Sequence, residues 1–252
     1  MTTVSVIIIC KNEAENIVDC INSASFADEV LVLDSGSKDD TVTLAKESGA
    51  RVIETDWPGY GAQKNRAINE ARGDWIFSLD ADERISKKLA QEILEAISKD
   101  EYKVFDVPRS SLYVSRFMLY SGWNPDRTKR LFKKNAARFS ESLVHESLVT
   151  SVALGHLKES IIHYSYRDFE TVLSKINEYS SLSAEQRILA GEHKASLKKA
   201  IAHGAWAFLR TYIIKAGFLD GSEGFMLAVS NAEGVYYRYL KIMQMQNKND
   251  AK

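Results

Sequence analysis

The chain has 252 residues and a formal net charge of −1. Its length fits one large domain, or a domain with an appendage. A near-zero net charge and a pI of about 6.5 give no support for a nucleic-acid partner, and none is expected. The two cysteines, Cys10 and Cys20, fall in a predicted strand and the helix after it, which favours reduced thiols in a cytoplasmic protein.

Strands and helices alternate through the first hundred residues. Short apolar runs predict strands at 4–9, 29–33, 51–54 and 74–79. Asn12 with Glu15, and Ser37 with Asp40, are predicted to start the first two helices as capping pairs, and residues 62–71 form the third. This alternation predicts a parallel sheet with right-handed crossovers, whose ligands bind outside the carboxyl ends of the strands.

After a predicted helix at 87–97 the pattern changes. Shorter strands are predicted at 102–107, 112–114, 128–132 and 138–139. From Asp168, a predicted N-cap, the chain becomes helical, with helices at about 168–191, 195–216 and 222–246. The whole pattern predicts an α/β fold, with a mostly parallel sheet flanked by helices and a helical extension at the C-terminus.

The fourth predicted strand ends in two carboxylates, Asp80 and Asp82. In extended backbone, residues i and i+2 point the same way, so both side chains can face one target. Two converging carboxylates repel unless a cation lies between them, and a hard divalent cation that also binds phosphate is the natural occupant. The pair therefore predicts an enzyme that binds a nucleotide diphosphate through a metal. The alternative is a solvated turn, with Asp82 or Ser86 capping the next helix.

Other polar residues follow the neighbouring strands. Asn12 and Asp34 are predicted to share the sheet edge with Asp80. Asp34 could accept hydrogen bonds from a base or a ribose, or it could serve the turn that contains Ser35 and Gly36. The segment 64–66, Lys-Asn-Arg, opens the third helix and could bind a phosphate or a base edge, or form a solvated helix face.

A candidate general base lies in the second half of the chain. Glu146 follows His145, and a carboxylate beside an imidazole could take the proton from an attacking hydroxyl. Alternatively, the two side chains form a structural pair, or His145 contacts a metal or a phosphate. Asp126 is the second candidate for the base.

Three further residues are candidate ligand contacts. Trp123 offers an aromatic face for a sugar ring, or it is a core tryptophan. Arg127 and Arg130 could clamp a diphosphate and neutralise the charge of a leaving group, or they are solvated surface charges.

The segment 193–219 combines basic and aromatic residues and contains no acidic residue. A basic helix with aromatic residues is typical of an element that binds an anionic membrane surface. The alternative is a helix that packs on the main domain with one solvated face. Residues 200–219 are the longest apolar stretch, but His203, Arg210 and Lys215 interrupt it, so a membrane span is not expected.

Four motifs in this order resemble the GT-A fold glycosyltransferases of family 2. They are VSVIIICKNE at 4–13, DSGSKDDT at 34–41, Lys64-Asn65, and Asp80-Ala81-Asp82. The segments 130–132 and 144–146 extend the resemblance into the second half. Residues 212–225 resemble the tail of bacterial inner-core lipopolysaccharide glycosyltransferases. The usual Glu-Asp base motif of the family is absent in that form, and Val144-His145-Glu146 takes its place by order in the chain.

The resemblance implies a role for each matching residue. Asp34 contacts uracil, Asp80 contacts the ribose, and Asp82 binds Mn²⁺ or Mg²⁺ that bridges the diphosphate. Asn12, Glu13 and Lys64 line the nucleotide pocket. The resemblance also divides the chain into a nucleotide-sugar-binding half at 1–100, an acceptor-binding half at 101–165 and a helical extension at 166–252.

These observations together predict an inverting glycosyltransferase. It would move a hexose, glucose by resemblance, from a UDP-sugar to a lipid-linked saccharide such as the lipopolysaccharide inner core, on the cytoplasmic face of a membrane. An enzyme for another cell-envelope or capsule polysaccharide, a nucleotidyltransferase and a non-catalytic sugar-nucleotide-binding scaffold remain alternatives. Residues 10–13 lack the glycine-rich loop of a nucleotidyltransferase, and no G-x-G-x-x-G follows the first strand, which disfavours an oxidoreductase.

Overall fold

The computed structural model describes residues 2–140, 147–191 and 195–250. The described residues of Met1–Arg109 and Asp126–His163 form one compact unit, and those of Ser110–Pro125 and Tyr164–Lys252 form a second. The three-part division at residues 100 and 165 stays a prediction.

The first unit begins with the predicted alternation of strands and helices. The strands are β1 (Val4–Cys10), β2 (Glu29–Asp34), β3 (Arg51–Glu54) and β4 (Trp75–Asp80), and the helices between them are α1 (Ile17–Ser23), α2 (Thr41–Glu47) and α3 (Tyr60–Glu70). The strands pair in parallel in the order β3-β2-β1-β4. Every residue of β1 is buried, as its sequence, β-branched from Val4 to Ile9 apart from Ser5, predicts for a strand with helices on both faces.

The strands after β4 pair mostly antiparallel. They are β5 (Glu83–Arg84), β6 (Val104–Tyr113), β7 (Arg116–Phe117), β8 (Arg127–Lys133), β9 (Arg138–Phe139), β10 (Leu148–Val149), β11 (Leu154–His156) and β12 (Ile161–Tyr166), and helix α4 (Lys87–Lys99) lies between β5 and β6. Strand β11 pairs with β6 in parallel. Strand order continues from β4 through β8, β6 and β12 to β5, while β9 and β10 form a separate ladder. Helix α4 begins after Ser86, whose hydroxyl accepts from the Leu89 amide, so Ser86 is the cap of the two candidates, Asp82 and Ser86.

Two predicted helix caps are wrong. Asn12 does not start α1, because it adopts a left-handed φ of 55° and its side-chain oxygen accepts from the Lys38 amide. The capping pair with Glu15 is therefore not formed, and α1 begins at Ile17. Ser37 does not start α2, because its hydroxyl donates to Asp34 and accepts from the Asn12 amide in the loop after β1. In both cases a hydrogen bond between neighbouring loops replaces the local cap.

One strand boundary is also wrong. The sequence predicts two strands, 102–107 and 112–114, whereas the structure has the single strand β6. Pro108 lies within it, opposite Arg127 in the last registered pair with β8. A proline at the end of a ladder removes no essential hydrogen bond, so the strand continues past it.

The second unit is mainly helical. Helix α5 (Phe169–Leu189) starts at Asp168, whose carboxylate accepts from the Thr171 amide at 2.7 Å, as predicted. Helix α6 (Leu197–Leu209) leads into a π-helical turn, Arg210–Ile214, a 3₁₀ turn, Gly217–Asp220, and helix α7 (Gly221–Asp250). The single helix predicted to end at 216 is thus interrupted, since the backbone widens at Arg210 and turns left-handed at Ala216. Within the described ranges, no helix has the length and apolar character needed to cross a membrane.

Candidate active site

The carboxyl ends of the parallel strands bring three predicted residues to one edge of the sheet. Cys10 lies opposite Asp34 in the β1–β2 ladder, and Ile9 lies opposite Asp80 in the β1–β4 ladder. The loop that contains Asn12 leaves β1 at the same edge. The shared edge predicted from the strand alternation is therefore present.

Asp80 belongs to a series of side chains of alternating charge, which we call the charge chain. Its members are Lys64, Asp80, Arg130, Glu83, Arg109 and Asp126. Lys64 Nζ lies 3.0 Å from Asp80 Oδ1, and Arg130 Nη2 lies 2.5 Å from Asp80 Oδ2. The same Arg130 nitrogen lies 2.8 Å from Glu83 Oε1, and Glu83 Oε2 accepts from the Asp80 amide at 3.0 Å. Lys64, Arg130 and Glu83 are buried, while the Asp80 side chain is 31% exposed. Asp80 is thus the member of this cluster that reaches the surface of the site.

The burial and charge of this cluster shift its pKa values in opposite directions. Burial alone would raise the pKa of Asp80, but the charges of Arg130 and Lys64 outweigh it and hold the pKa well below its usual range. Burial raises the pKa of Glu83, Arg130 offsets this only in part, and the charge of Asp80 adds to it. Asp80 is therefore ionised at neutral pH, which makes it a fixed acceptor for hydroxyl groups of a ligand.

Asp126 ends the charge chain. Arg109 Nη1 lies 3.5 Å from Glu83 Oε1, while Arg109 Nε and Nη2 lie 2.8 and 2.7 Å from Asp126 Oδ2. One carboxylate oxygen of Asp126 therefore accepts both of these hydrogen bonds. A role for Asp126 as the general base stays a prediction.

Asp82 faces an imidazole that the sequence did not single out. His163 Nε2 lies 3.3 Å from Asp82 Oδ2, and both side chains are partly buried. The contact arises because β12 pairs antiparallel with β5, which places His163 opposite Glu83. Nothing in the local sequence around His163 signals this pairing, since His163 and its partner Glu83 are 80 residues apart and β5 has only two residues.

The donor set at Asp82 fits a divalent cation that is shared with a phosphate. No group of three or more His, Cys, Asp or Glu side chains suited to a metal occurs in the part of the chain that the structure describes. Mg²⁺ and similar cations, however, commonly take one or two protein ligands and complete their shell with substrate phosphates and water. A carboxylate and an imidazole are both acceptable ligands for Mn²⁺. Asp80 is less suited, because both its oxygens already have cationic partners.

Arg84 holds the turn between Asp80 and Asp82 in place. Its Nη1 donates to the Ala81 carbonyl at 2.9 Å, and its Nη2 donates to the Asn16 carbonyl at 2.9 Å. The buried guanidinium therefore joins the turn after β4 to the loop after β1. Nothing in the local sequence signals this role, because an arginine just before a helix is usually a solvated charge.

Asp34 takes part in the turn that follows β2. It is 1% exposed, and its carboxylate accepts from the amides of Gly36 and Ser37, each at 2.9 Å, and from the Ser37 hydroxyl. These contacts agree with the second interpretation of Asp34, in which its carboxylate stabilises the turn that contains Ser35 and Gly36. A role for Asp34 in nucleotide binding stays a prediction.

Asn12 and Glu13 join two loops at this edge. The amide of Asn12 donates to the Ser37 hydroxyl at 2.8 Å, and the amide of Glu13 donates to Thr41 Oγ1 at 2.8 Å. The Glu13 carboxylate accepts from Asn16 Nδ2 at 2.7 Å. Their contacts with a nucleotide stay predictions.

The segment 64–66 is not a solvated helix face. Asn65 exchanges two hydrogen bonds of 2.9 Å with the backbone of Phe139, and the Phe139 ring lies under Lys64 Nζ, 5.2 Å from ring centroid to nitrogen. Arg66 instead pairs with Asp56 at the surface. Lys64 and Asn65 thus position β9 beside the charge chain.

A cavity of about 340 Å³ opens beside the charge chain, within the first unit. Five of its lining residues are basic and one, Asp80, is acidic; the basic residues are Lys64, Arg109, Arg127, Lys129 and Arg130. Arg127 also pairs with Asp106 and donates to the Leu157 carbonyl. These two contacts hold its guanidinium group in one orientation. A cavity with this charge balance is suited to an anionic ligand.

The remaining predicted residues lie elsewhere. Trp123 belongs to the second unit, where its ring packs against Tyr113 and Tyr166 with centroid distances of 5.9 and 5.7 Å. These ring contacts agree with the interpretation of Trp123 as a core tryptophan. His145 and Glu146 lie outside the described residues, so the base assignment stays a prediction.

A comparison with protein families shows the family of this chain. Residues 5–147 match the model of the family described as Glycosyl transferase family 2. The match covers more than half of the chain. The chain belongs to glycosyltransferase family 2. The sheet, its flanking helices and the C-terminal helices are the GT-A fold that the sequence predicted.

The glycosyltransferase has similar relatives over nearly its whole length. It is 32% identical to an uncharacterized glycosyltransferase of Rickettsia felis, over 99% of this chain and 93% of that protein. It is 29% identical to the lipopolysaccharide core biosynthesis glycosyltransferase LpsC of Rhizobium meliloti, over 95% of this chain and 92% of that protein. A crystal structure of glucosyl-3-phosphoglycerate synthase from Mycobacterium tuberculosis, in complex with Mn²⁺ and UDP, is 29% identical over 44% of each chain, with a TM-score of 0.37.

Proposed function

We propose that this glycosyltransferase transfers a hexose, preferably glucose, from a UDP-sugar to a hydroxyl of a saccharide, with inversion at the anomeric carbon. The observation that carries the proposal is the basic cavity at the carboxyl edge of the sheet, whose lining includes Asp80, the last residue of β4. A diphosphate matches its charge, and ionised Asp80 matches a ribose hydroxyl. A uracil contact with Asp34 would exchange one of the turn hydrogen bonds.

Each step of the proposed transfer uses a group of this chain. Glu146 takes the proton from the acceptor hydroxyl, and that oxygen attacks the anomeric carbon from the face opposite UDP. Arg127 and Arg130 neutralise charge on the anionic leaving group, and His145 contacts the acceptor or the diphosphate. One displacement suffices, so no enzyme nucleophile is needed.

Mn²⁺ or Mg²⁺ would be held by Asp82 together with His163. When bound, the cation neutralises charge on the diphosphate. Asp80 remains a second candidate ligand only if Lys64 or Arg130 gives up its contact.

The proposed acceptor is a lipid-linked saccharide such as the lipopolysaccharide inner core. The similarity to a lipopolysaccharide core glycosyltransferase over almost the whole chain supports this choice over another envelope or capsule polysaccharide.

A ligand screen tests the donor. The melting temperature of the protein is measured with UDP- and GDP-sugars, each with Mn²⁺, with Mg²⁺ or with EDTA. A ligand that binds the folded state raises the melting temperature, so we expect a rise with UDP-glucose that requires a cation. A larger rise with GDP-sugars, or an equal rise with EDTA, would contradict the proposal.

We also propose that the second unit binds the cytoplasmic surface of a membrane. Eight large apolar side chains between 197 and 219 are 48–60% exposed: Leu197, Ile201, Trp206, Leu209, Ile213, Ile214, Phe218 and Leu219. The described part of this segment contains no acidic residue before Asp220, and Lys198 and Lys199 supply positive charge. Exposed apolar and basic groups on one segment match an anionic lipid surface.

Flotation with phosphatidylcholine–phosphatidylglycerol vesicles tests this surface. The double variant Ile213→Ser, Ile214→Ser should bind about tenfold more weakly, because it removes apolar area that would be buried in lipid. Leu94→Ser is the matched control, since Leu94 is 45% exposed on α4 of the first unit. Equal binding by both variants, and no loss on replacing Lys198 and Lys199 by Gln, would rule out this surface.

A further inference from the structure

The second unit contains a cavity of its own. It measures about 380 Å³ and lies between the loop 121–123, the π-helical turn and helix α7. Ser121, Trp123, Arg210, Thr211, Lys215 and Asn231 contribute to its lining. It is separate in sequence from the residues assigned above to the donor.

The charge of this cavity is positive. Arg210 is the first residue of the π-helical turn and Lys215 is the residue that follows it. No acidic residue is among the lining residues, and neither cation has a side-chain ion pair or hydrogen bond within the described ranges. The five basic side chains that line the 340 Å³ cavity of the first unit, in contrast, all have such partners. Two uncompensated cations at one cavity attract an anion.

The polar lining offers hydrogen bonds to that anion. Thr211 is 7% exposed, and its hydroxyl accepts from Asn231 Nδ2 at 3.2 Å, which leaves the hydroxyl proton for another acceptor. Trp123, fixed by its ring contacts with Tyr113 and Tyr166, presents an aromatic surface of the kind that packs on a sugar ring. The lining therefore combines what a phosphate and an attached sugar require.

A buried carboxylate fixes the loop that forms one wall. Asp220 is 0% exposed and accepts from the amides of Leu119 and Tyr120 at 3.0 and 2.9 Å and from the Ser121 hydroxyl at 2.9 Å. Burying a charge is unfavourable unless such hydrogen bonds compensate it. The three hydrogen bonds to Asp220 therefore hold the loop 119–121 in one conformation.

The backbone of the same loop is adapted to Lys215. The Ser121 amide donates to the Lys215 carbonyl at 2.9 Å, and Gly122 has a φ of +81°, a conformation that favours glycine. A Cβ at Gly122 would lie 3.4 Å from Lys215 Cγ. The lysine stem therefore lies against the glycine. The π-helical turn, a feature that is uncommon and frequently marks functional sites, contributes Arg210 and Thr211 to the lining.

We propose that this cavity binds a phosphate group of the acceptor, with Arg210 and Lys215 as its charge partners and Trp123 beside the adjoining sugar. The identification of the ligand as the acceptor substrate rests on the proposed function. The anion site itself is a property of the second unit. It assigns the acceptor to the class of phosphorylated saccharides or of saccharides on a phosphate-bearing lipid.

The test uses the indole N–H signals of the full-length protein in ¹⁵N NMR spectra. The chain has four tryptophans, and Trp123→Phe identifies the Trp123 signal by its loss. The probes are inorganic phosphate, glucose 6-phosphate, dihexanoyl phosphatidic acid below its micelle concentration, and uncharged methyl glucoside. We expect glucose 6-phosphate or phosphatidic acid to shift the Trp123 signal and methyl glucoside not to shift it.

Two variants assign the shift to the two cations. Arg210→Gln with Lys215→Gln should weaken the apparent affinity about tenfold or more, since a charge-assisted hydrogen bond is lost at each position. Lys87→Gln, which removes an exposed cation from α4 of the first unit, should leave it unchanged. Tighter binding of glucose 6-phosphate identifies a phosphate on the saccharide, and tighter binding of phosphatidic acid identifies a phosphate on the lipid.

Three outcomes would overturn the site: no shift with any phosphate, an equal shift with methyl glucoside, or unchanged affinity in the double variant. The buried Trp75 signal reports whether each variant is folded. Because these titrations contain no sugar nucleotide, their failure leaves the donor assignment untouched. Conversely, a positive result with a protein that does not bind UDP-sugars would retain the anion site and reject the proposed transfer.

Discussion

Replacing Asp82 by alanine is expected to lower turnover of the UDP-sugar by about 10²–10³-fold, the loss typical when one electrostatic stabiliser of a leaving group is removed. The free energy of unfolding should change little. Asp82 lies in the turn after β4, its side chain is 26% exposed, and it is outside the buried charge chain. Initial rates at saturating donor and cation, together with urea unfolding curves, measure both quantities.

The control for this variant is Glu95→Gln, which removes one exposed carboxylate from α4 and should retain wild-type turnover. His163→Gln should lower the apparent affinity for the cation, because it removes the imidazole 3.3 Å from Asp82. Wild-type turnover by Asp82→Ala in the presence of the cation would show that this carboxylate holds no metal needed for the reaction.

Replacing Arg130 by methionine is expected to destabilise the fold by about 3–5 kcal/mol, the usual loss when one partner of a buried ion pair is removed. Arg130 is 4% exposed and is the shared cation of Asp80 and Glu83. Without it, Glu83 is left as a carboxyl group with no exposure to water and a weaker set of charge partners. Urea-induced unfolding measures the change.

Two further variants show whether the loss comes from the buried charge. Arg66→Met removes an arginine whose pair with Asp56 is exposed, and it should have a far smaller effect. Adding Glu83→Gln to Arg130→Met should recover part of the stability, since the amide oxygen can still accept from the Asp80 amide but carries no charge. Equal effects of Arg130→Met and Arg66→Met would contradict the importance of the charge chain.

The sequence was informative where one short segment determines the structure. The alternation of apolar runs and caps placed Asn12, Asp34 and Asp80 at one sheet edge, because parallel strands repeat the same direction. The N-caps at Ser86 and Asp168 were predictable for the same local reason, since each side chain bonds an amide three residues later.

The sequence was uninformative where distant segments meet. His163 reaches Asp82 through a two-residue strand pairing, and Arg84 joins the turn after β4 to a loop 68 residues earlier. The failed caps at Asn12 and Ser37 have the same origin, because hydrogen bonds between the two loops replaced the local ones. A local pattern does not encode these long-range contacts.

The most direct test of the proposed transfer is the product formed from UDP-glucose and an inner-core lipopolysaccharide acceptor. We predict that free UDP and glycosylated acceptor accumulate in equal amounts, that the product has the inverted anomeric configuration, and that EDTA stops both. Release of pyrophosphate, transfer from a GDP-sugar in preference to UDP-glucose, or an undiminished rate in EDTA would contradict it.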